Sequence, residues 1–366
     1  MEIVFPDYEN SGLNVVSAVI NHLGFKDDHP QQRDVKMLLE KGKYKKVVLM
    51  LFDGMGMDIL EKALPENSFL RSHLLTEISA AYPSTTTNAT SSIECCLYPG
   101  EHAWLGWTLY FREIDKLVDV FINRDENGEE AAPYPVGETY NPRKMIFSRL
   151  QEAGIGANCV SRFGTDRIST LEEMRETVLK LVSGSEKRYV YCYWGDPDHT
   201  MHELGCYDER VIKIVQDIDA YVKELSQSLP EDTLLMVTAD HGLIDGRIMY
   251  VEDMPLLRDM LIRMPAVEPR AAAFYVKKEC LQAFPEMFRH YFGENFLLMT
   301  AHEFVERGYL GPCCENPRVW EFLGDYVALS TGQECIMGKR GNGELIGVHA
   351  GLTKQEMRVP LIAVSR

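Results

Sequence analysis

The chain has 366 residues, of which 45% are hydrophobic and 25% are charged, and its formal net charge at pH 7 is -17. This composition is typical of a globular protein rather than a disordered or fibrous one, and the length allows two domains or one large domain with an inserted one. The negative charge, without any run of Lys or Arg, argues against binding a nucleic acid duplex. Bound cations could still attract a small anionic substrate.

The N-terminal segment and the cysteines indicate the compartment. Residues 1–25 contain Glu2, Asp7 and Glu9 and lack the basic leader and the apolar stretch of a secretory signal peptide. The longest apolar runs are far below the roughly 20 residues that span a bilayer. The nine cysteines show neither zinc-finger spacing nor the framework of a small secreted domain. We therefore expect a cytoplasmic protein with reduced thiols and no membrane segment.

Short apolar runs alternate with amphipathic stretches along the chain. The runs are typical of buried parallel strands, which we expect at 46–52, 156–160, 189–194, 234–238 and 359–364. Helices are expected between them at 142–153, 170–183 and 208–228. This alternation predicts an α/β fold with a mainly parallel central sheet sandwiched by helices. Ligands of such sheets bind at the carboxyl ends of the strands, where Asp53, Asp198 and Asp240 would emerge.

Two regions interrupt the alternation. Residues 104–135 alternate in hydrophobicity around a turn-like segment at 125–128, which predicts hairpins. The second region, 247–342, combines predicted strands at 271–276, 295–299 and 326–330 with predicted helices at 279–291 and 301–307. We interpret it as an inserted α+β cap domain. The core domain would then comprise residues 1–246 and 343–366.

A hydroxyl-rich stretch at 82–92 could supply a nucleophile. Four consecutive hydroxyl residues follow Pro83 at the start of a possible helix: Ser84, Thr85, Thr86 and Thr87. A helix N-terminus offers free backbone N–H groups and the positive end of the helix dipole, which suit a phosphate that a neighbouring hydroxyl could attack. Without other evidence, a solvated cap and turn is the simpler interpretation.

Aspartate and histidine side chains follow several of the predicted strands. Asp53 and the pair Asp240 and His241 come directly after apolar runs, and Asp53 by itself could mark only a turn. Asp198 and His202 are four residues apart and would share one face of a helix. A carboxylate and an imidazole placed in this way can bind one metal ion.

Three further histidines have weaker patterns. His349 stands between glycines just before the last predicted strand, and by itself it would be a loop histidine. His199 is adjacent to Asp198 and would point away from it, towards the surface or the surroundings of a metal ion. His102 is expected to have a structural role.

In their order and spacing these segments resemble the alkaline phosphatase superfamily and, within it, the type I phosphodiesterase and nucleotide pyrophosphatase family, from about residue 46 to residue 364. The resemblance implies an alkaline-phosphatase-like fold and two divalent metal ions, with Zn²⁺ expected and Mn²⁺ as the second candidate. The first ion would be bound by Asp53, Thr86, Asp240 and His241. The second ion would be bound by Asp198, His202 and His349.

The resemblance also assigns roles at the hydroxyl-rich stretch. Thr86 is the expected nucleophile, and Thr85 is the second candidate. Asn88 is the candidate for holding the substrate phosphate, although the family's asparagine position falls at Ala89 in this chain. Met201 stands where the family has a glycine before His202.

The function implied is hydrolysis of a phosphodiester or nucleotide pyrophosphate bond through a covalent threonine intermediate. The substrate would be a small phosphate ester that could be nucleotide-like. A phosphomonoesterase or a phosphonate hydrolase with the same metal site is the alternative, and its additional cation could be Arg162, Arg247 or Lys339. A non-catalytic metal-binding or nucleotide-binding protein is the alternative from another class.

Three aromatic residues of the first insertion allow two interpretations. Trp104, Trp107 and Tyr110 could stack on a nucleotide base, or they could pack the insertion against the core. The sequence predicts no oligomeric state.

Overall fold

The computed structural model describes residues 2–341 and 345–365. Within them the α-helices are α1 Gly12–Leu23, α2 Arg33–Lys41, α3 Met57–Ala63, α4 Phe69–Ser72, α5 Thr86–Cys95, α6 Pro99–His102, α7 Val136–Tyr140, α8 Ile146–Glu152, α9 Leu171–Val182, α10 Asp198–Leu204, α11 Glu209–Ser228, α12 Pro255–Arg258, α13 Phe284–Phe292, α14 Ala301–Glu306, α15 Arg318–Leu323 and α16 Lys354–Met357. The strands are β1 Lys46–Phe52, β2 Leu74–Ser79, β3 Thr108–Phe111, β4 Lys116–Asp119, β5 Arg124–Asp125, β6 Gly156–Ser161, β7 Asp166–Arg167, β8 Arg188–Trp194, β9 Thr233–Thr238, β10 Ile244–Asp245, β11 Arg247–Tyr250, β12 Ala266–Glu268, β13 Ala271–Phe274, β14 Phe296–Thr300, β15 Tyr326–Ser330, β16 Glu334–Met337, β17 Gly347–Val348 and β18 Arg358–Val364.

The central sheet has seven strands in the order β2-β18-β9-β1-β8-β6-β7. Strand β1 lies between β8 and β9 and pairs with both in parallel, and β18 is antiparallel to its two neighbours. All seven residues of β1 are buried, which explains why the residues that follow Lys46 are all apolar rather than alternating. The predicted α/β fold with a mainly parallel sheet is confirmed, and each predicted core strand lies within one residue of an observed one.

Helices cover this sheet because each buries one apolar stripe. In α11 the buried residues follow the spacing of one helical face: Val211, Val215, Ile218, Val222 and Leu225. Helix α9 begins as the sequence predicts, with the Thr170 hydroxyl accepting a hydrogen bond from the Glu173 N–H. Within the described part of the chain, no helix has the length and apolar character needed to cross a membrane.

Two predicted helices begin later than expected. The helix predicted at 142–153 begins at Ile146, because Arg143 is held by hydrogen bonds to Glu138 and Ser91 outside the helix. The helix predicted at 279–291 is a 3₁₀ turn, Lys278–Cys280, followed by α13. Pro285 near the start of α13 favours a helix that begins at this point.

A second sheet joins the two insertions. Its strand order is β14-β15-β13-β12-β3-β4-β5, so the hairpins β3–β5 of the first insertion extend a sheet built from the second. The link is the pairing of Val267 in β12 with Thr108 in β3. Apolar residues of both insertions belong to the same buried cluster as the central sheet. The division of the chain into domains stays a prediction, and its proposed boundary between residues 342 and 343 lies outside the described residues.

A fully buried ion pair connects the two sheets. Arg270, between β12 and β13, donates two hydrogen bonds of 2.6 and 2.8 Å to the carboxylate of Glu356 in α16. Both residues are 0% exposed. The Glu356 carboxylate also accepts hydrogen bonds from the Gly351 N–H and the Thr353 hydroxyl. Removing one charge from such a pair leaves the other buried without compensation.

We expect Glu356→Gln to lower the free energy of unfolding by about 3 kcal/mol, because Arg270 loses its counter-charge in the interior. Urea unfolding followed by circular dichroism measures the loss. Glu77→Gln is the matched control: Glu77 pairs with Arg358 but is partly exposed, so its loss should be below about 1 kcal/mol. Equal losses of unfolding free energy in the two variants would show that burial of the ion pair does not increase the cost of removing one charge.

Candidate active site

Three aspartates emerge at one edge of the central sheet. Asp53 follows β1, Asp240 follows β9, and Asp198 begins α10 shortly after β8. Because β1 lies between β8 and β9, the three carboxyl ends meet. The Asp198 N–H donates to the Asp53 carbonyl, and the Gly54 N–H donates to Asp240 Oδ1. Gly54 has a φ of 71°, and a Cβ there would lie 2.8 Å from the Asp198 Cβ, so glycine allows this close approach.

The first cluster contains Asp53, Asp240 and His241, all buried, with potential ligand atoms within 4.8 Å of one another. His241 Nε2 lies 3.5 Å from a carboxylate oxygen of each aspartate. Thr86, the first residue of α5, places its Oγ1 at 3.3 and 3.4 Å from the Asp53 carboxylate oxygens and 3.3 Å from His241 Nε2. A hydroxyl therefore lies directly beside this cluster.

The second cluster contains Asp198, His202 and His349. His202 Nδ1 is 2.7 Å from the Gly347 carbonyl, and His349 Nδ1 is 3.1 Å from the Ser84 carbonyl. A carbonyl can only accept, so each Nδ1 carries a proton, and each Nε2 faces a carboxylate oxygen of Asp198, at 3.2 Å for His202 and 3.9 Å for His349. Orientation of an imidazole through its second nitrogen is common among metal ligands.

The two clusters are adjacent. The rings of His241 and His349 stack with their centroids 4.0 Å apart. Burial, and the negative charges of Asp240 and Asp198, raise the pKa of Asp53 well above its ordinary value. Burial also raises the pKa of Asp198, but the opposite charges of His202 and His349 outweigh it and lower that pKa. The two aspartates therefore experience different electrostatic environments.

The residues fit two divalent metal ions. Asp198 Oδ1 and Asp240 Oδ2 are buried acceptor atoms with no hydrogen-bond partner, which is costly unless a cation binds there. Carboxylate oxygens and imidazole nitrogens are donors that zinc and manganese accept. Each cluster has the number and type of ligands that one such ion requires.

The other residues singled out from the sequence lie around the clusters. The Thr85 hydroxyl donates to Glu268 Oε1 at 2.7 Å, whereas the Thr86 hydroxyl lies beside Asp53 and His241. Asn88 is fully buried, and its amide donates to the Pro83 carbonyl. Its role in holding phosphate stays a prediction.

His102 and His199 take no part in the clusters. His102 is buried; this burial, with the nearby charge of Arg143, lowers its pKa to about 3. It contacts the Ser92 hydroxyl and the Trp104 N–H. His199 is exposed beside Glu203.

The three aromatic residues divide between the two interpretations. Trp104 is buried, with its ring under Arg143, and Tyr110 packs against Arg263 and Tyr275, so these two pack the insertion. Trp107 is 37% exposed and stands edge-on to the partly exposed Phe121.

Sequence reasoning missed two side chains at the site. The Tyr193 hydroxyl in β8 donates to the carboxylate of Asp53. A tyrosine near the carboxyl end of a buried strand was the available signal. Glu268 reaches Thr85 from a strand 183 positions away in sequence, and no local pattern indicates that contact.

A hydroxyl beside two carboxylate and imidazole clusters, at the carboxyl edge of an α/β sheet, is typical of metal-dependent hydrolases of phosphoric esters. The family model for type I phosphodiesterase / nucleotide pyrophosphatase matches residues 47–291, more than half of the chain. The chain belongs to this family. No curated protein matches the sequence.

Solved structures share the fold. Murine ectonucleotide pyrophosphatase / phosphodiesterase 5 has a TM-score of 0.69 at 15% identity over 88% of each chain. An inactive threonine-to-alanine form of it, in complex with AMP, has a TM-score of 0.67 at 16% identity over 87% of this chain and 88% of that one. Phosphonoacetate hydrolase from Sinorhizobium meliloti, in complex with phosphonoformate, has a TM-score of 0.62 at 17% identity over 86% and 89%.

The repulsion between carboxylates at the first cluster is expected to lower the stability of the metal-free protein. In metal-free protein we expect Asp240→Asn to raise the free energy of unfolding, because it removes a negative charge beside the buried carboxylate of Asp53. Thermal unfolding measures the change, and Asp217→Asn on the exposed face of α11 is the control. Added Zn²⁺ should raise the wild-type melting temperature more than that of Asp240→Asn. A less stable metal-free Asp240→Asn would contradict this account.

A third group of potential ligands, Asp27, His29 and Cys96, lies apart from these two. Here the carboxylates already have partners: His29 Nδ1 is 2.9 Å from Asp27, and His29 Nε2 is 3.0 Å from Glu101. Burial lowers the pKa of His29, but its hydrogen bonds to Asp27 and Glu101 outweigh burial and raise the pKa to about 9. A protonated histidine bridging two carboxylates accounts for this cluster.

Because the folded-state pKa of His29 is raised from 6.5 to about 9, its stabilisation is complete below pH 6.5 and is lost as the pH rises through 9. We expect the melting temperature of the wild type to fall over this range by about 2 °C more than that of His29→Gln. Differential scanning calorimetry at a series of pH values tests this, with exposed His199→Gln as the control. Parallel pH profiles for wild type and His29→Gln would refute it.

Proposed function

We propose that this enzyme hydrolyses a phosphodiester or nucleotide pyrophosphate bond through a covalent intermediate on Thr86. The observation that carries the proposal is the position of Thr86 Oγ1, 3.3 to 3.4 Å from Asp53 and His241 at the N-terminus of α5. The Thr85 hydroxyl is engaged by Glu268, which favours Thr86 as the nucleophile. Membership of the type I phosphodiesterase family supports the reaction class.

Each cluster would hold one divalent ion. Asp53, Thr86, Asp240 and His241 would bind the first, and Asp198, His202 and His349 would bind the second. We propose Zn²⁺, with Mn²⁺ as the alternative, because mixed carboxylate and imidazole ligands suit both. When bound, such ions polarise phosphoryl oxygens and lower the pKa of a coordinated hydroxyl.

The protein's own groups would then act on the substrate. Thr86 Oγ1 forms a bond to phosphorus while the bond from phosphorus to the leaving oxygen breaks, and water later cleaves the Oγ1–P bond and restores the hydroxyl. The N-terminus of α5 stabilises the phosphate through free backbone N–H groups and the helix dipole. Tyr193 orients Asp53 through its hydroxyl.

Charge around the site favours a diester. A monoester carries one more negative charge and needs an additional cation, for which the sequence offered Arg162, Arg247 and Lys339. Arg247 pairs with Glu334 and Lys339 with Glu126, and Arg162 is exposed without a bond to the three site aspartates. The AMP complex of the murine neighbour supports a nucleotide-like substrate. The phosphonoformate complex of the bacterial neighbour keeps phosphonate hydrolysis as the second candidate.

The test compares bis-p-nitrophenyl phosphate, p-nitrophenyl phosphate and phosphonoacetate as substrates of protein loaded with Zn²⁺ or Mn²⁺. We expect the diester to have the highest kcat/KM, and Thr86→Ala to lower its kcat at least about 10³-fold because the nucleophile is absent. Thr86→Ser keeps a hydroxyl and should retain measurable turnover.

Other outcomes would select the alternatives. If the enzyme prefers the monoester or phosphonoacetate, the proposed substrate class changes from a diester to that compound's class. Full activity in Thr86→Ala would exclude the threonine intermediate. Stoichiometric metal binding without turnover of any of the three would indicate a binding protein.

A further inference from the structure

Glu268 is a buried acid that connects the second sheet to the start of α5. It ends β12, and its Oε1 accepts hydrogen bonds of 2.7 Å from the Thr85 hydroxyl and 2.7 Å from the Trp107 N–H. Thr85 directly precedes Thr86. One carboxylate therefore holds both the first insertion and the residue next to the nucleophile.

The backbone around Glu268 is strained. Val267 has a φ of 73°, in the left-handed region that a β-branched residue rarely occupies. Gly106 packs so closely on it that a Cβ at residue 106 would lie 2.5 Å from the Val267 carbonyl oxygen. Strain of this kind persists where the surrounding structure enforces it, commonly at functional sites.

The position of Glu268 is also costly electrostatically. The side chain is buried, and burial raises its pKa to about 7, partly opposed by the hydrogen bonds from Thr85 and Trp107 and by the charge of His202. In the described part of the chain it forms no ion pair with Lys or Arg. A neutral or apolar residue would suit a purely structural role better, because an unpaired buried carboxylate destabilises the fold.

Thr85 is the N-cap residue of α5, yet its side chain caps no backbone N–H of that helix. A threonine at this position ordinarily accepts a hydrogen bond from the second or third N–H of the helix and so removes it from other partners. Here the side chain directs its hydroxyl to Glu268, and in this orientation the oxygen accepts from no N–H of the helix. The N–H groups of the first turn of α5 thus keep no intrahelical partner and no side-chain cap.

We propose that Glu268 is a positioning residue that diverts the Thr85 hydroxyl from capping α5, which leaves the first-turn N–H groups free for the substrate phosphate beside Thr86. This inference rests on the proposed function, since it concerns the phosphate that Thr86 attacks. Glu268 itself acts through Thr85 and not by contact with the substrate.

Glu268→Met tests the proposal, because methionine fills a similar volume without an acceptor. We expect the freed Thr85 hydroxyl to cap α5, and kcat on the diester to fall about 100-fold, as when one phosphate-stabilising donor is lost. Metal content should stay at the wild-type value. Independently of activity, amide hydrogen exchange in metal-free protein should slow about fivefold at residue 87 or 88, because the cap accepts a hydrogen bond from one of these N–H groups.

Three further variants distinguish the loss of the Glu268 acceptor from other effects of the substitution. Glu268→Gln keeps an acceptor for Thr85 and should retain kcat within about threefold of wild type. Adding Thr85→Val to Glu268→Met removes the capping hydroxyl and should restore kcat and fast exchange towards wild type. Asp119→Asn is the matched control: Asp119 is a largely buried acid in β4 that accepts from Thr108, and its substitution should leave kcat within about twofold.

Several outcomes would overturn the proposal. Glu268→Gln as impaired as Glu268→Met would show that the charge is required and not the acceptor. Loss of metal in Glu268→Met, unchanged amide exchange at residues 87 and 88, or no recovery in the double variant would also overturn it. If wild-type protein turned over none of the esters, the proposed function would fail, and the exchange measurement would still decide whether Glu268 controls the cap.

Discussion

Three carboxylates buried at one edge of the sheet are the constraint on which this structure depends. Asp53, Asp198 and Asp240 emerge from adjacent strands and cannot separate without breaking the pairing of β1 with β8 and β9. Burial and their mutual repulsion raise the pKa of Asp53, and two of their oxygen atoms have no hydrogen-bond partner. The fold therefore concentrates negative charge where cations are needed, at the expense of stability in their absence.

The rest of the molecule holds that edge in place. Arg270 fixes Glu356, whose carboxylate accepts the Gly351 N–H. The Gly351 carbonyl accepts the Ser84 hydroxyl, and the Ser84 carbonyl is the partner of His349 Nδ1. A continuous chain of hydrogen bonds thus runs from the second sheet to one histidine of the second cluster and to the residue preceding Thr85. Such bonds limit the positions of ligands before any ion binds.

The second sheet therefore also positions segments of the candidate active site. Through Arg270 it supports the loop of His349, and through Glu268 it reaches the turn that carries Thr86. Two residues of one short segment, at the end of β12 and just before β13, therefore hold two separate segments that carry candidate site residues. Both are buried charges, and Val267 beside them is strained, so the segment combines several features that destabilise a fold and accompany function.

The features that are local along the chain can be predicted from the sequence alone. Apolar runs located the core strands, and residues that directly follow those strands, such as Asp53, Asp240 and His241, had to lie at the carboxyl edge. The four-residue spacing of Asp198 and His202 placed them on one helical face because a helix turns every 3.6 residues. The resemblance in the order of these motifs was sufficient to identify the family.

The contacts between residues far apart in the sequence become known only from the folded structure. Pairing of β3 with β12 joined two insertions that the sequence treated as separate, and it brought Glu268 to Thr85 and Arg270 to Glu356. The choice of Thr86 over Thr85 as the hydroxyl beside Asp53 also depended on where Glu268 lies. These contacts join residues far apart in sequence, and periodicity and spacing carry no information on them, because strand pairing and side-chain direction are fixed only when the whole core packs.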